Sequence, residues 1–223
     1  MTARIRLSYI CKILLIVASL GGVLILLFTA NRDGFSNWWR RLLYFTSQSN
    51  IWIGITTIVL LFMPNESTFI ARYVFTVCIA MTGIVFSFLL SPFAADYGFQ
   101  TWTLASILTH AVAPILAVVD FFLDKRSFPL QRKHVWLCAL PPIFYFSTSF
   151  LLVYFNVDFG KGMPFPYFFM NFRSPVGLFG FSGKLPYIMG TAYWFIIFPS
   201  VLFIIGVLLQ RLKEKQLKKL PNG

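Results

Sequence analysis

Acidic residues are scarce in this chain. Seven Asp and Glu stand against nineteen Lys and Arg in 223 residues, and all charged residues together make up 12% of the sequence. So low a charged fraction excludes a disordered, solvated protein, which stays unfolded through high charge and low hydrophobicity. Histidine and cysteine are scarce as well. Two histidines, with Cys11, Cys78 and Cys138 far apart, offer no spacing for a zinc knuckle or a redox pair. No metal or cofactor is therefore expected, and the cysteines read as small buried apolar residues. The net charge of +12 would suit a nucleic-acid partner if it lined one face. Instead the basic residues gather at the ends of apolar runs, where positive charge sets orientation and meets anionic headgroups.

Apolar residues are abundant. They make up 58% of the chain, and the mean hydropathy is +0.76. Runs of about 18 residues or more, enough to cross roughly 30 Å of hydrocarbon, fall at 13–30, 42–63, 69–91, 101–123, 135–155 and 187–210. This predicts an all-α polytopic bundle of six transmembrane helices, a single integral membrane domain over residues 1–223. The first run follows Arg4, Arg6 and Lys12 as a signal peptide would, but it continues to Phe28, past the core of about 7 to 15 residues that a signal peptide carries. It reads as a retained anchor.

With the N-terminus inside, the inner side receives Arg4, Arg6, Lys12, Arg72, the basic residues of the 125–133 connection (Lys125, Arg126, Arg132, Lys133) and those of the C-terminal run from Arg211. The outer side receives only Arg32, Arg40, Arg41, Lys161, Arg173 and Lys184, and the third connection carries Asp96 with no Lys or Arg. Both ends are therefore expected in the cytoplasm of a bacterial-type membrane. The connection at 156–186 is rich in Phe, Gly and Pro. It is too aromatic for a solvated linker and too broken to span, so it is expected to form an extracytoplasmic interfacial lid, with a long structureless loop as the alternative.

Polar residues enter the membrane in two places. The second run opens Tyr44-Phe45-Thr46-Ser47-Gln48-Ser49-Asn50, and at about 100° per residue Thr46, Ser49, Asn50 and Thr57 share one face with Ile53. Such a stripe commonly serves as interhelical glue at about 0.6 to 2 kcal/mol per bond. The fourth run carries His110, with Thr103, Ser106, Pro114 and Ala117 on its face, and an ionisable group at membrane depth points to function. Counted at 1.5 Å per residue, Thr46 lies about 8 Å and His110 about 15 Å inward, so a contact needs tilt or a displaced helix start.

A neutral histidine is a general base, and a threonine hydroxyl is a nucleophile once a base takes its proton. Gln48, Ser49 and Asn50 are the candidate oxyanion donors or positioning groups. Arg40 and Arg41, at the mouth of the polar face, suit a substrate carboxylate or phosphate, and Ile53, Ser106, Tyr167 and Asn171 complete the candidate substrate-binding set. Asp120 is too far along its helix to orient His110. It and Asp124 are expected to pair with Lys125, Arg126 or the loop near Arg132 and Lys133, with His134 an ordinary interfacial residue. The expected chemistry is a dyad. Pro141, Pro142 and Pro199 should bend the last two helices, and Thr76, Ala80, Gly83 and Ser87 form a small-residue strip for close packing.

The element Phe45-Thr46-Ser47-Gln48-Ser49-Asn50, then Thr109-His110 with Pro114 and Asp120, and Tyr167-Phe168-Phe169-Met170-Asn171 in the last outer loop together resemble the androgen-induced protein family and its bacterial relatives. The resemblance runs from the second helix to the last loop. It implies a membrane hydrolase of fatty acid esters of hydroxy fatty acids, with Thr46 as nucleophile and His110 as base. The loop departs from the family pattern, with Phe168 in a proline's place and Asn171 in an acid's. The expected function is thus an intramembrane lipid ester hydrolase acting on a membrane lipid. The alternatives are a non-catalytic lipid-binding or transport protein and a lipid acyltransferase.

Overall fold

The third helix begins abruptly after the second because Asn65 caps it. Its side-chain oxygen accepts from Thr68 N at 3.0 Å while Thr68 Oγ1 accepts from Asn65 N at 3.1 Å, and Glu66 sits against the positive end of the helix dipole. In the computed structural model, which describes residues 3–93, 100–124, 128, 130–182 and 186–218, six helices are long and apolar enough to cross a membrane. These are α1 (Arg4–Phe28), α2 (Phe45–Phe62), α3 (Glu66–Phe93), α4 (Leu104–Leu123), α5 (Arg132–Tyr154) and α6 (Thr191–Lys218). Among the described residues there is no β-strand, only an isolated bridge between Phe181 and Met189. The chain is an all-helical integral membrane bundle.

α3 is the hub. It packs against α2, α4 and α6, while α1 lies along α4 and α2. Tyr73 of α3, with no exposed surface, donates its hydroxyl to Gly206 O of α6 at 2.7 Å, which ties the two helices together inside the core. Large apolar side chains such as Phe28, Phe62 and Phe88 lie exposed on the outside, as lipid-facing residues do. The three cysteines are buried and free.

The helix starts differ from the apolar runs. α2 begins at Phe45 and α4 at Leu104, each three residues later than hydropathy suggests, because residues Trp38–Leu43 form a 3-10 turn and Thr103 is the N-cap whose hydroxyl accepts from Ser106 N. α6 begins at Thr191 and runs to Lys218, its charged last turns being helical though not apolar. Pro141 and Pro142 open a second helical segment, Leu140–Tyr154, after a turn that interrupts α5, whereas Pro199 lies inside α6. The long connection folds inward. Phe168, Phe169 and Met170 form a 3-10 turn buried in the main apolar core, and Phe159 and Phe165 pack with Val153. At Gly160 the backbone takes φ +116°, and a Cβ there would lie 2.2 Å from the Phe35 ring, so only glycine fits.

The ion pairs of the far end correct the expectation for Asp120 and add a partner for Asp124. Asp120 meets Lys12 at 2.8 Å and Arg72 at 2.6 Å, and Asp124 meets Lys12 at 3.0 Å, all nearly sequestered from solvent. The partners come from other helices because a buried carboxylate needs a cation at its own depth, which a flanking loop cannot supply. Lys213 of α6 and Arg4 of α1 donate to carbonyls at the C-terminal end of α4, where the helix dipole is negative. His134 lies in the first turn of α5 rather than in the loop, buried, and its Nδ1 accepts from Gln131 N at 3.1 Å to cap the helix. Lys125, Arg126, Asp96 and Lys184 lie outside the described residues.

Candidate active site

His110 sits in a π-helical stretch, Leu108–Val112, set between the two α-helical parts of α4. Such a widened turn re-aims side chains and is frequent at functional sites. Gly83 of α3 lets this turn come close, since a Cβ there would lie 3.0 Å from His110 O. The Phe86 ring of α3 stacks on the imidazole, with centroids 3.7 Å apart and planes at 22°, which fixes the plane of the ring.

The two ring nitrogens have different partners. Nδ1 lies 3.0 Å from Ser106 O, 3.1 Å from Thr109 Oγ1 and 3.3 Å from Ser106 Oγ. A carbonyl only accepts, and the Thr109 hydroxyl already donates to Ala105 O at 2.8 Å, so Nδ1 carries the proton. Nε2 is then the acceptor. It lies 3.3 Å from Thr46 Oγ1, the hydroxyl of the second residue of α2. The contact that the sequence only permitted is made by the way α2 and α4 pack.

Around the pair is a cavity of about 680 Å³, within the usual range for small-molecule sites. Thr46, Ser47, Ser106 and His110 form its polar floor, and Leu26, Phe86, Leu90 and Phe165 supply apolar wall. Arg32, Asp33, Arg41 and Lys161 also line it. A second, almost wholly apolar cavity of about 50 Å³ lies beside the first, and Thr46, Leu90 and Tyr167 line both.

The candidate residues divide. Arg41, Ser106, Tyr167 and Asn171 line the main cavity with the dyad. Arg40 does not; its guanidinium pairs with the Asp158 side chain and donates to Asp158 O at 2.8 Å. Ile53 is fully buried in an apolar cluster with Leu15, Ala18 and Ile79, away from the cavity wall. Nor do the three candidate oxyanion donors face it. Gln48 Nε2 donates to Leu42 O at 3.1 Å, and the Ser49 hydroxyl bridges Thr46 O and Thr82 Oγ1. Asn50 Nδ2 donates to Thr46 O at 2.8 Å and Thr109 O at 3.1 Å, clasping the turn that bears the hydroxyl to the turn that bears the imidazole. These are positioning contacts.

Several site residues escaped the sequence reading. Thr109 and Phe86 hold the imidazole, and Arg32, Asp33 and Lys161 join Arg41 in the cavity. Adjacency to His110 marks Thr109, but nothing local marks Phe86. Arg41 pairs with Asp33 at 2.5 Å and lies over the Phe35 ring, 4.0 Å from its centroid. Burial pulls the pKa of Arg41 down, and burial followed by the charge of Arg41 lowers that of Lys161. No protein-family model, curated protein or solved structure matches this chain.

Proposed function

We propose that the protein is an intramembrane lipid ester hydrolase in which Thr46 is the nucleophile and His110 the general base. The observation that carries this reading is the 3.3 Å approach of Thr46 Oγ1 to His110 Nε2 on the floor of a cavity of about 680 Å³. Glue would have sufficed with a satisfied hydroxyl pair in a packed interface. Here the pair borders open space, and the imidazole is oriented by Ser106 O where a serine hydrolase uses a carboxylate.

His110 Nε2 takes the Thr46 proton as Oγ1 bonds the ester carbonyl carbon. The collapsing intermediate expels the alcohol, which recovers that proton from Nε2. Water, deprotonated in turn by Nε2, then cleaves the acyl-threonine and restores the hydroxyl. The apolar wall suits an acyl chain. Among the described lining residues, Arg32, Arg41 and Lys161 against Asp33 suit an acidic substrate end, as in the fatty acid esters of hydroxy fatty acids that the family resemblance implies. The basic residues favour a topology with both termini in the cytoplasm and the cavity toward the outer leaflet of a bacterial membrane.

The test is hydrolysis of long-chain esters by purified protein in detergent. Thr46→Ala and His110→Ala should each lose activity by about 10⁴-fold and lose covalent labelling by an alkyl fluorophosphonate. Full turnover in either variant removes the dyad.

A further inference from the structure

Attack by Thr46 pushes the carbonyl π electrons onto oxygen, and that oxyanion needs N–H or O–H donors aimed into the cavity. Gln48, Ser49 and Asn50 direct theirs elsewhere. Other donors stand at the rim. Thr46 and Ser47 are the second and third residues of α2, so their backbone N–H groups lie in the first turn, which no intrahelical carbonyl reaches. The N-cap, Tyr44, adds no side-chain cap, and the first amide to turn back is Gln48 N, onto Tyr44 O at 3.2 Å.

The nearest group to this open turn is a phenol. Tyr167 Oη, from the long connection, accepts a long bond from Thr46 N at 3.4 Å, one that a stronger acceptor such as an oxyanion can displace, and it also interacts with the Thr46 side chain. Its ring is held edge-on by Tyr44 at 5.7 Å and stacked on Phe169 at 5.0 Å. Burial raises its pKa, so the phenol keeps its proton through neutral and mildly alkaline pH. A second phenol stands behind the first. Tyr145, 3% exposed, lines the small cavity together with Thr46 and Tyr167, and its hydroxyl, close to Tyr167, Ser149 and the Phe45 backbone, makes no hydrogen bond of good geometry.

We propose that the Tyr167 hydroxyl, with the backbone N–H groups of Thr46 and Ser47, binds the oxyanion formed on the substrate carbonyl, and that Tyr145 positions Tyr167 by donating to its oxygen. The assignment rests on Thr46 being the nucleophile. Each group has one task. The Tyr167 proton stays on its phenol and is shared with the oxyanion, and the Tyr145 proton polarises that phenol from behind. When the intermediate collapses, the oxyanion pair re-forms the carbonyl, the bond to the leaving alkoxide breaks, and His110 returns the proton to it. No oxidant or further reactant is required.

The experiment compares Tyr167→Phe, Tyr145→Phe and the double variant with wild type, using a p-nitrophenyl long-chain ester as substrate and a long-chain trifluoromethyl ketone as transition-state mimic. Tyr167→Phe should lower kcat by about 10²- to 10³-fold with KM little changed, and should weaken the ketone by the same factor. A long-chain ether, which cannot form an oxyanion, should bind Tyr167→Phe as it binds wild type. Tyr145→Phe should lower kcat by on the order of tenfold, and the double variant should be no worse than Tyr167→Phe alone, since the two phenols act in series. Tyr167→Phe with kcat within about threefold of wild type, beside an inactive Thr46→Ala, overturns the oxyanion assignment and leaves the dyad standing. Active Thr46→Ala overturns both. A Tyr167→Phe defect that appears in KM and in ether binding, with kcat intact, also overturns it, because the residue would then act only by shaping the cavity.

Discussion

Polar groups occupy both ends of this bundle, and the two ends treat them in opposite ways. At one end Lys12, Arg72, Asp120, Asp124 and Lys213 are buried charges drawn from four helices and closed upon one another, with a single Arg72 nitrogen left without a partner. At the other end Thr46, Ser47, Ser106 and His110 are uncharged or chargeable by one proton, and they face a cavity. Burial of a charge in low dielectric demands immediate pairing, so the first cluster has no capacity to offer a ligand. The second borders open space, where its donors and acceptors can meet a ligand. Paired charge marks the scaffold at one end, and neutral polar groups facing a cavity, with Arg32, Asp33, Arg41 and Lys161 also lining it, mark the candidate site at the other.

The sharpest way to break that contrast is to remove the common acceptor of the ionic end. Asp120→Ala leaves Lys12 and Arg72 without their shared carboxylate and should destabilise the folded bundle by about 3–5 kcal/mol, read as a lower melting temperature in detergent. The protein that remains folded should hydrolyse esters at the wild-type kcat. A kcat loss of tenfold or more, with stability unaltered, would mean that the two ends are not separable in this way.

That division was half legible beforehand. Six apolar runs gave the helices because lipid leaves the backbone no other way to satisfy itself, and the polar opening of α2 stands out against that background. Thr46 and His110 could be singled out by type and depth, but their contact depends on how α2 and α4 pack against each other, which hydropathy does not register. Asp120 was assigned to the wrong partners because Lys12, 108 residues away, and Arg72, 48 away, are brought to it only by tertiary packing. Gln48, Ser49 and Asn50 drew attention as donors by chemistry alone. Their bonds to carbonyls and hydroxyls inside the bundle depend on which way each side chain faces, which no spacing rule supplies.

Within the site end, the two neighbouring arginines provide a smaller test of the same contrast. Arg41 lines the cavity although it pairs with Asp33, whereas Arg40 is tied to Asp158 outside it. Arg41→Ala should raise KM for an ester bearing a free carboxylate by about tenfold, with little change for a neutral ester of equal length. Arg40→Ala should leave both KM values alone and cost at most about 1 kcal/mol of stability, as partly exposed pairs do. Equal KM effects from the two substitutions would place the acidic end of the substrate elsewhere.

The smallest expected effect comes from Lys161, the lysine that lines the cavity among the described residues. Burial and the neighbouring charge of Arg41 lower the pKa of Lys161 below its usual 10.5, while Asp33 partly opposes them. The folded state therefore disfavours the charged ammonium relative to the unfolded chain. That penalty is fully present below the folded pKa and fades as pH rises through it toward 10.5, so this group alone makes the protein slightly more stable on the alkaline side. Binding moves the other way. As Lys161 loses its charge, KM for a carboxylate-bearing ester should rise at a pH below that at which a free lysine titrates, while KM for a neutral ester stays flat. Tyr167 does not confuse the window, because burial moves its pKa upward. In Lys161→Ala the alkaline rise in KM should vanish. If it persists there, another group carries the titration, and the cationic mouth is held by Arg32 and Arg41 alone.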